Sequence, residues 1–319
     1  MKKFEIGVGM FGDLAFDKET RKFADPQQKL QEILAEIKWA DELGIDVFAL
    51  GEHHRPDYVV SSPEMVLSAA ASITKNIKLM SAVTVLSSAE PVKVYQDFST
   101  LDLISGGRAE IGVGRGSFIE SFPLFGYDLD DYHELFEEKL DLLLKINTQE
   151  NVTWKGKLRA PMENQTVYPR ATNNGKLPVW IAVGGTPESV LRAARLGLPL
   201  IVAIIGGLPR QFKPLIDFYK KEYLRHGHNP EEMQIGIHSH TLVSEDPEVI
   251  DGYFDKSNSK VEAGLYGYKN IDENGDQIGS DLKYRLDVYF NSISTKPENY
   301  ADEFNKDNLS WRYLEEFVI

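Results

Sequence analysis

The chain has no cysteine among its 319 residues. Disulfides, thiolate–metal centres and a cysteine nucleophile are therefore all excluded. Cations are in the minority: 35 Lys and Arg against 49 Asp and Glu give a formal charge of −14. That balance argues against nucleic acid or an anionic membrane as the main partner. Long apolar runs are missing too, and no window approaches the ~20 residues of a membrane span. Met1-Lys2-Lys3 leads into an apolar run interrupted by Gly7 and Gly9, too short for a signal-peptide core. A cytoplasmic protein is the expectation. What is present, 42% hydrophobic and 26% charged residues, is the composition of an ordinary globular chain with a sizeable core.

The stretch from Asp102 to Ser117 shows how that core is organised. Leu101, Leu103 and Ile104 close an apolar helical face, and Gly106-Gly107 supplies a left-handed cap. Ala109 to Val113 reads as a buried strand that runs into Gly114-Arg115-Gly116-Ser117. The same rhythm recurs along the chain. Strands are expected at Phe4–Met10, Val47–Leu50, Ile77–Leu86, Pro178–Val183, Leu200–Ile205 and Met233–Val243. Helices are expected at Pro26–Leu43, from Pro63, at Pro91–Ile104, Leu129–Ile146 and Pro187–Leu196, and from Leu208 to His226. Asn151 to Lys176 breaks the series and reads as an excursion with a hairpin. Nearly continuous apolar strands alternating with amphipathic helices mean a parallel sheet covered by helices. Seven such units point to a TIM-type (β/α)8 barrel, in which chemistry belongs at the C-terminal ends of the strands. The expectation is one domain over residues 1–319.

Several residues sit where that rule places chemistry. Arg115 lies between two glycines after the fourth strand, where backbone N–H groups can approach a ligand and a guanidinium can fork onto a phosphate. Gly184-Gly185-Thr186-Pro187 joins the fifth strand to its helix, so free N–H groups and the positive end of the helix dipole face the barrel mouth. Ser189 follows within the first turn. A plain capping turn with Thr186 as N-cap explains this segment about as well by itself. Two such turns on adjacent strands, one carrying Arg115, favour a phosphate-bearing ligand. Gly112-Val113-Gly114-Arg115-Gly116 is not a dinucleotide fingerprint, because its third glycine falls one residue early. Glu52-His53-His54 ends the second strand. A metal there lacks a clear third ligand, so no metal is expected. His53 suits acid–base work near neutral pH, and His54 reads as a packed supporting residue. His238 and His240 lie in the seventh strand.

These residues carry a resemblance. Leu43-Gly44 with Glu52-His53-His54, Ala89-Glu90-Pro91-Val92, Leu101-Asp102 with Ser105-Gly106-Gly107-Arg108, Gly112 to Gly116, and Ala193-Ala194 with Gly197 occur in an order resembling the bacterial-luciferase-like family of flavin-dependent monooxygenases. The match runs from about Phe4 to Val243. It implies a TIM-type barrel, reduced FMN delivered by a separate NAD(P)H:flavin reductase, and activation of O₂ to oxygenate a small organic substrate. A homodimer is implied as well. By position, His53 corresponds to the family's catalytic histidine and Arg115 to its phosphate-binding arginine. Ala82-Val83 falls on the family's non-proline cis peptide beneath the isoalloxazine ring. Gly184 and Gly185 replace a glutamate and a serine of the luciferase branch, leaving backbone N–H groups with Thr186 and Ser189 nearby. A deazaflavin-dependent oxidoreductase and a non-catalytic flavin-binding protein are the alternatives on the same barrel. The resemblance stops near Gly252; beyond it Tyr284 to Ile293 alternates like a strand that would close the barrel, and an open or unusually capped barrel is the alternative.

Overall fold

The first helix, α1 (Pro26–Leu43), starts on Asp25, whose carboxylate accepts the Gln27 N–H at 2.8 Å, and stops on Gly44 at φ +81°. The same punctuation sets α3 (Pro91–Ser105), which begins at Glu90 and ends at Gly106, and α5 (Pro187–Leu196), which ends at Gly197. Proline at the first helical position has a preset φ and lacks an N–H that would have had no partner. The helices α2 (Pro63–Ala71), α4 (Tyr132–Thr148) and α6 (Pro209–Arg225) complete the outer layer. The computed structural model describes residues 4–17, 19–116, 118–204 and 209–239, with the short strands 270–271, 277–278 and 317–318.

Seven parallel strands form the barrel: β1 (Ile6–Met10), β2 (Val47–Leu50), β3 (Lys78–Val85), β4 (Ala109–Gly114), β5 (Val179–Val183), β6 (Leu200–Ile204) and β7 (Ile235–Ser239). The eighth place is taken by β8 (Phe317–Val318), antiparallel to both neighbours. Val318 pairs with Ile6 on one side and Ile237 on the other. The barrel is thus a TIM-type ring whose seam is spanned by two residues instead of a parallel strand. Tyr284–Ile293 and His240 lie outside the described residues. The hairpin before β5 pairs Asn151–Trp154 with Met162–Thr166. A second hairpin, Phe16–Asp17 with Lys22–Phe23, sits in the first strand–helix connection, and the sequence reading has no counterpart for it.

Apolar burial divides into two layers. Between strands and helices, Ile33, Ile37, Phe48, Leu50, Leu79, Phe98, Ile111, Leu140, Ile181 and Val202 form the larger core. Inside the barrel, Val47, Ala49, Met80, Trp180 and Ile201 pack together with Ala82 and Ala182. Near the N-terminal ends of the strands the buried Glu110 accepts the Trp180 indole N–H at 2.7 Å, and Lys78 pairs with it at 3.2 Å. A carboxylate so placed needs both partners, since an unpaired buried charge is costly. The interior side chains become smaller toward the C-terminal ends, where Ala82, Gly112 and Gly114 take over from Trp180 and Met80.

The Ser105–Arg108 turn is structural. Arg108 donates to the carbonyls of Ser105 (2.9 Å) and Ile77 (2.7 Å) and to Thr74 Oγ1 (3.0 Å), tying α2, α3 and two strands at the end of the barrel away from the candidate site.

Candidate active site

Arg115 leaves the end of β4 and reaches across to the start of α5. Its Nη2 donates to Thr186 Oγ1 at 3.2 Å and to Ser189 Oγ at 3.3 Å. Its Nη1 donates to Nδ1 of His133 at 3.0 Å, which places that ring's proton on Nε2. The guanidinium also lies 5.3 Å from the centre of the Tyr132 ring. Thr186 is the N-cap of α5 but makes no side-chain capping bond. Pro187 has no N–H and the Ser189 N–H donates to the Thr186 carbonyl at 3.1 Å, so the donors the turn offers are the N–H groups of Gly185, Thr186 and Glu188. A Cβ on Gly184 or Gly185 would meet nothing within 4 Å, and Gly185 has φ +128°. The turn is therefore an open cradle of backbone donors beside a cation, the arrangement that binds a phosphate. Arg192 lies one helical turn on, paired with Glu137 and reaching Ser189 Oγ at 3.5 Å.

The second strand ends at Leu50, and Glu52-His53-His54 occupies the loop that follows. The two imidazoles separate. His54 Nε2 contacts Glu52 Oε1 at 2.7 Å, and Glu52 Oε2 accepts the Val85 N–H at 2.9 Å, which fastens this loop to the end of β3. His53 instead stacks on Tyr58 with ring centres 4.2 Å apart, with Phe11 and Phe118 each edge-on at 5.3 Å. Burial pushes the His53 imidazole down to about 3, helped by the Arg55 charge and by His54. The ring is neutral throughout the physiological range. The aromatic enclosure excludes the water that would solvate an imidazolium. Arg55, bridging Asp57 (3.1 Å) and Glu120 (2.9 Å) over the Phe118 ring, closes this wall.

Between the two halves lies β3. The Ala82–Val83 peptide bond is cis, at the position the resemblance implies, and the ladder to β4 skips register between Ser81 and Thr84. Ser81 Oγ exchanges hydrogen bonds with the Gly112 carbonyl (3.1 Å) and N–H (3.2 Å), and Thr84 donates to Ser81 at 2.9 Å. Buried hydroxyls thus satisfy the backbone where the ladder fails. A Cβ on Gly114 would fall 2.8 Å from Val83 Cγ2, so glycine makes room for the Val83 side chain.

A sequence profile for luciferase-like monooxygenases matches residues 10–298. The chain belongs to that family. Among relatives of luciferase-like type, the alkanal monooxygenase alpha chain of the Kryptophanaron alfredi symbiont is 26% identical over 213 residues, 65% of this chain and 58% of that one. The chain matches about three fifths of the length of such curated relatives. In fold it is similar to the oxygenating constituent of 3,6-diketocamphane monooxygenase from Pseudomonas putida, solved with FMN (TM-score 0.71, 18% identity, 96% of this chain and 83% of that one). It is also similar to the F420-dependent tetrahydromethanopterin reductase of Methanopyrus kandleri (TM-score 0.64, 18% identity, 99% and 85%).

The structure brings Arg115, Gly184, Gly185, Thr186 and Ser189 into one cluster, with Ala82–Val83 and His53 at the C-terminal ends of neighbouring strands. Among the described residues no group of three or more acidic or histidine side chains is placed to hold a metal, and no helix is long and apolar enough to cross a membrane. Sequence reasoning missed His133, Tyr132 and Arg192 around the arginine, and the aromatic wall of Phe11, Tyr58 and Phe118. Arg192, three residues after Ser189, was findable from helical spacing. The aromatic wall comes from three separate connections, and no local signal marks it.

Proposed function

We propose that this luciferase-like chain is a monooxygenase that uses reduced FMN and O₂ to oxygenate a small organic substrate. The observation that carries the reading is the convergence of Arg115, Thr186 and Ser189 on a glycine-opened helix N-terminus at the barrel mouth. Bound reduced FMN supplies the electrons for oxygen activation. Arg115 would hold the phosphate together with the N–H groups of Gly185 and Thr186. Val83, seated against Gly114, would line the site for the ring system. His53 takes part as a neutral imidazole, able to accept or donate one hydrogen bond at the reacting edge. Phe11, Tyr58 and Phe118 keep water from that edge, and exclusion of water is what lets an oxygenase couple O₂ to product.

Delivery of reduced flavin by an NAD(P)H:flavin reductase, a cytoplasmic setting and a homodimer belong to the same reading. Trp39, Leu43 and Met65, exposed on α1 and α2, offer an apolar surface for the last. A second reading, a deazaflavin-dependent oxidoreductase, draws on the similarity of fold to the F420-dependent reductase. Oxygen uptake and product formation with reduced FMN, set against anaerobic turnover with reduced F420, decide between them. His53→Gln is expected to bind FMN nearly as well as wild type while oxygen consumption continues without product, a loss of ~10²–10⁴ in coupled turnover. Equal coupled turnover in both proteins refutes a catalytic role for His53.

A further inference from the structure

A narrow pocket lies behind His53, lined by Glu52, His53, His54, Phe118, Glu120 and Ser121 among others. Its walls come from the loop after β2 and from the residues that lead into the one-turn helix Ser121–Phe125. Two buried polar atoms on these walls have no partner among the described residues: His53 Nδ1 and Ser121 Oγ. Ser121 is almost wholly buried at 3% exposure. The other polar groups nearby are engaged. Glu52 holds His54 and the Val85 N–H, and Glu120 holds Arg55.

Two orphaned polar atoms on one small pocket are an unusual pair, because buried groups of this kind nearly always find a partner. The space amounts to about 10 Å³ for the centre of a water molecule, close to the least that holds one. No organic ligand fits such a volume, and the two carboxylates of the wall, Glu52 and Glu120, are already taken up by His54, the Val85 N–H and Arg55. The Glu120 side chain opens this part of the wall to solvent, at 31% exposure.

We propose that this pocket is a water site, in which one bound water bridges His53 Nδ1 and Ser121 Oγ and links the imidazole to solvent past Glu120. The water sets which ring nitrogen carries the proton, since the tautomer of a neutral histidine follows the hydrogen bond made by its other nitrogen. It also gives a proton released at the reacting edge a way out through the aromatic wall. Ser121 is then a positioning residue that acts through His53. This role rests on the oxygenase reading, whereas the water site does not.

The test uses the full chain with ¹⁵N-labelled histidine and three variants, Ser121→Ala, Ser121→Thr and Ser121→Val. The wild-type His53 Nδ1 resonance is expected at a hydrogen-bonded position. Ser121→Ala, which removes one partner, and Ser121→Val, which also fills the space, should move it toward the unbonded value, with valine the further. Ser121→Thr should restore it. An Nδ1 resonance unmoved by both Ala and Val, in variants with wild-type circular dichroism, overturns the water site whatever the activity proves to be. With an accepted substrate, Ser121→Ala should lower coupled turnover by about tenfold, the size of one lost hydrogen bond. KM should stay unchanged, and the solvent isotope effect should be larger than in wild type. A moved resonance with unchanged turnover and isotope effect overturns the relay.

Discussion

Acid should destabilise this protein through two histidines, and the size of the effect follows from where they sit. His53 is held down to about 3 and His238 to about 4, in each case chiefly by burial. Above pH 6.5 both rings are neutral in folded and unfolded chains alike, so neither affects stability. As pH falls below 6.5 the unfolded chain takes up protons that the folded chain refuses. Stability then falls with pH by about 1.4 kcal/mol per unit for each ring. The loss continues until the folded rings titrate in their turn, near pH 4 for His238 and near pH 3 for His53. Between pH 6 and 4 the pair contributes a slope of about 2–3 kcal/mol per unit. By pH 4 that removes about 5–7 kcal/mol, comparable with the whole stability of an ordinary domain. Glu36, Glu64 and Asp141, raised mainly by burial, act in the opposite sense near their own titration range. The comparison must therefore be between wild type and variants. Urea unfolding followed by circular dichroism, at steps from pH 7.5 to 4.5, gives the slope for wild type, His53→Gln, His238→Gln and the double variant. Each single variant should lose about half of it. If the double variant shows the wild-type slope, the two rings are not held neutral and the enclosed-imidazole argument fails.

Arg115→Ala should weaken FMN binding by about 1.5–3 kcal/mol, the range for a charge-assisted hydrogen bond, with Arg115→Lys recovering only part; calorimetry showing unchanged affinity removes Arg115 from the phosphate site. Gly114→Ala puts a methyl 2.8 Å from Val83 Cγ2 and should cost about 1–3 kcal/mol of stability by overpacking, along with FMN affinity, both absent if Val83 simply turns aside. Lys139, buried and bonded to the Ser87 carbonyl at 2.7 Å, is pushed down to about 8 by burial. Unfolded lysine still holds its proton there, so stability should rise with pH from 8 toward 10 by about 1.4 kcal/mol per unit. In Lys139→Met that rise should vanish, and a denaturant series that finds it intact refutes the assignment.

Much of the barrel was legible because parallel strands buried on both faces leave nearly continuous apolar runs, as in Val47-Phe48-Ala49-Leu50 and Leu200-Ile201-Val202-Ala203-Ile204. Helix ends were legible for a different reason: Gly44, Gly106 and Gly197 adopt left-handed caps that other residues take up with difficulty. The hairpin at Phe16–Phe23 was not, since two-residue strands carry no period to read. The strand that spans the seam was not legible for the same reason, and Tyr284–Ile293 lies outside the described residues. Tyr284–Ile293 has the alternation of a strand, whereas Phe317–Val318 is too short to show any. At the site, Arg115 and the glycine turn were readable because each is a local motif. The enclosure around His53 was not, because Phe11, Tyr58 and Phe118 are brought together by tertiary folding.

The charge arrangement at the phosphate side follows from what Gly184 and Gly185 leave out. The luciferase branch, as the resemblance has it, carries a glutamate and a serine there; here no carboxylate stands in the turn itself. Acids on the adjoining helices include Glu188 in the first turn of α5 and Glu137 on α4. Glu137 is paired with Arg192, so that arginine steadies Ser189 and adds little net field. Among the described residues Arg115 meets no carboxylate, only the hydroxyls of Thr186 and Ser189, a histidine nitrogen and an aromatic ring. Its positive charge is therefore balanced by dipoles alone, and the helix N-terminus beside it adds the same sign. An anion entering the cradle has no resident carboxylate to displace and gains the full interaction. The missing side chains at Gly184 and Gly185 thus do two things at once. They open the backbone donors, and they leave Arg115 as the charge on which anion binding turns.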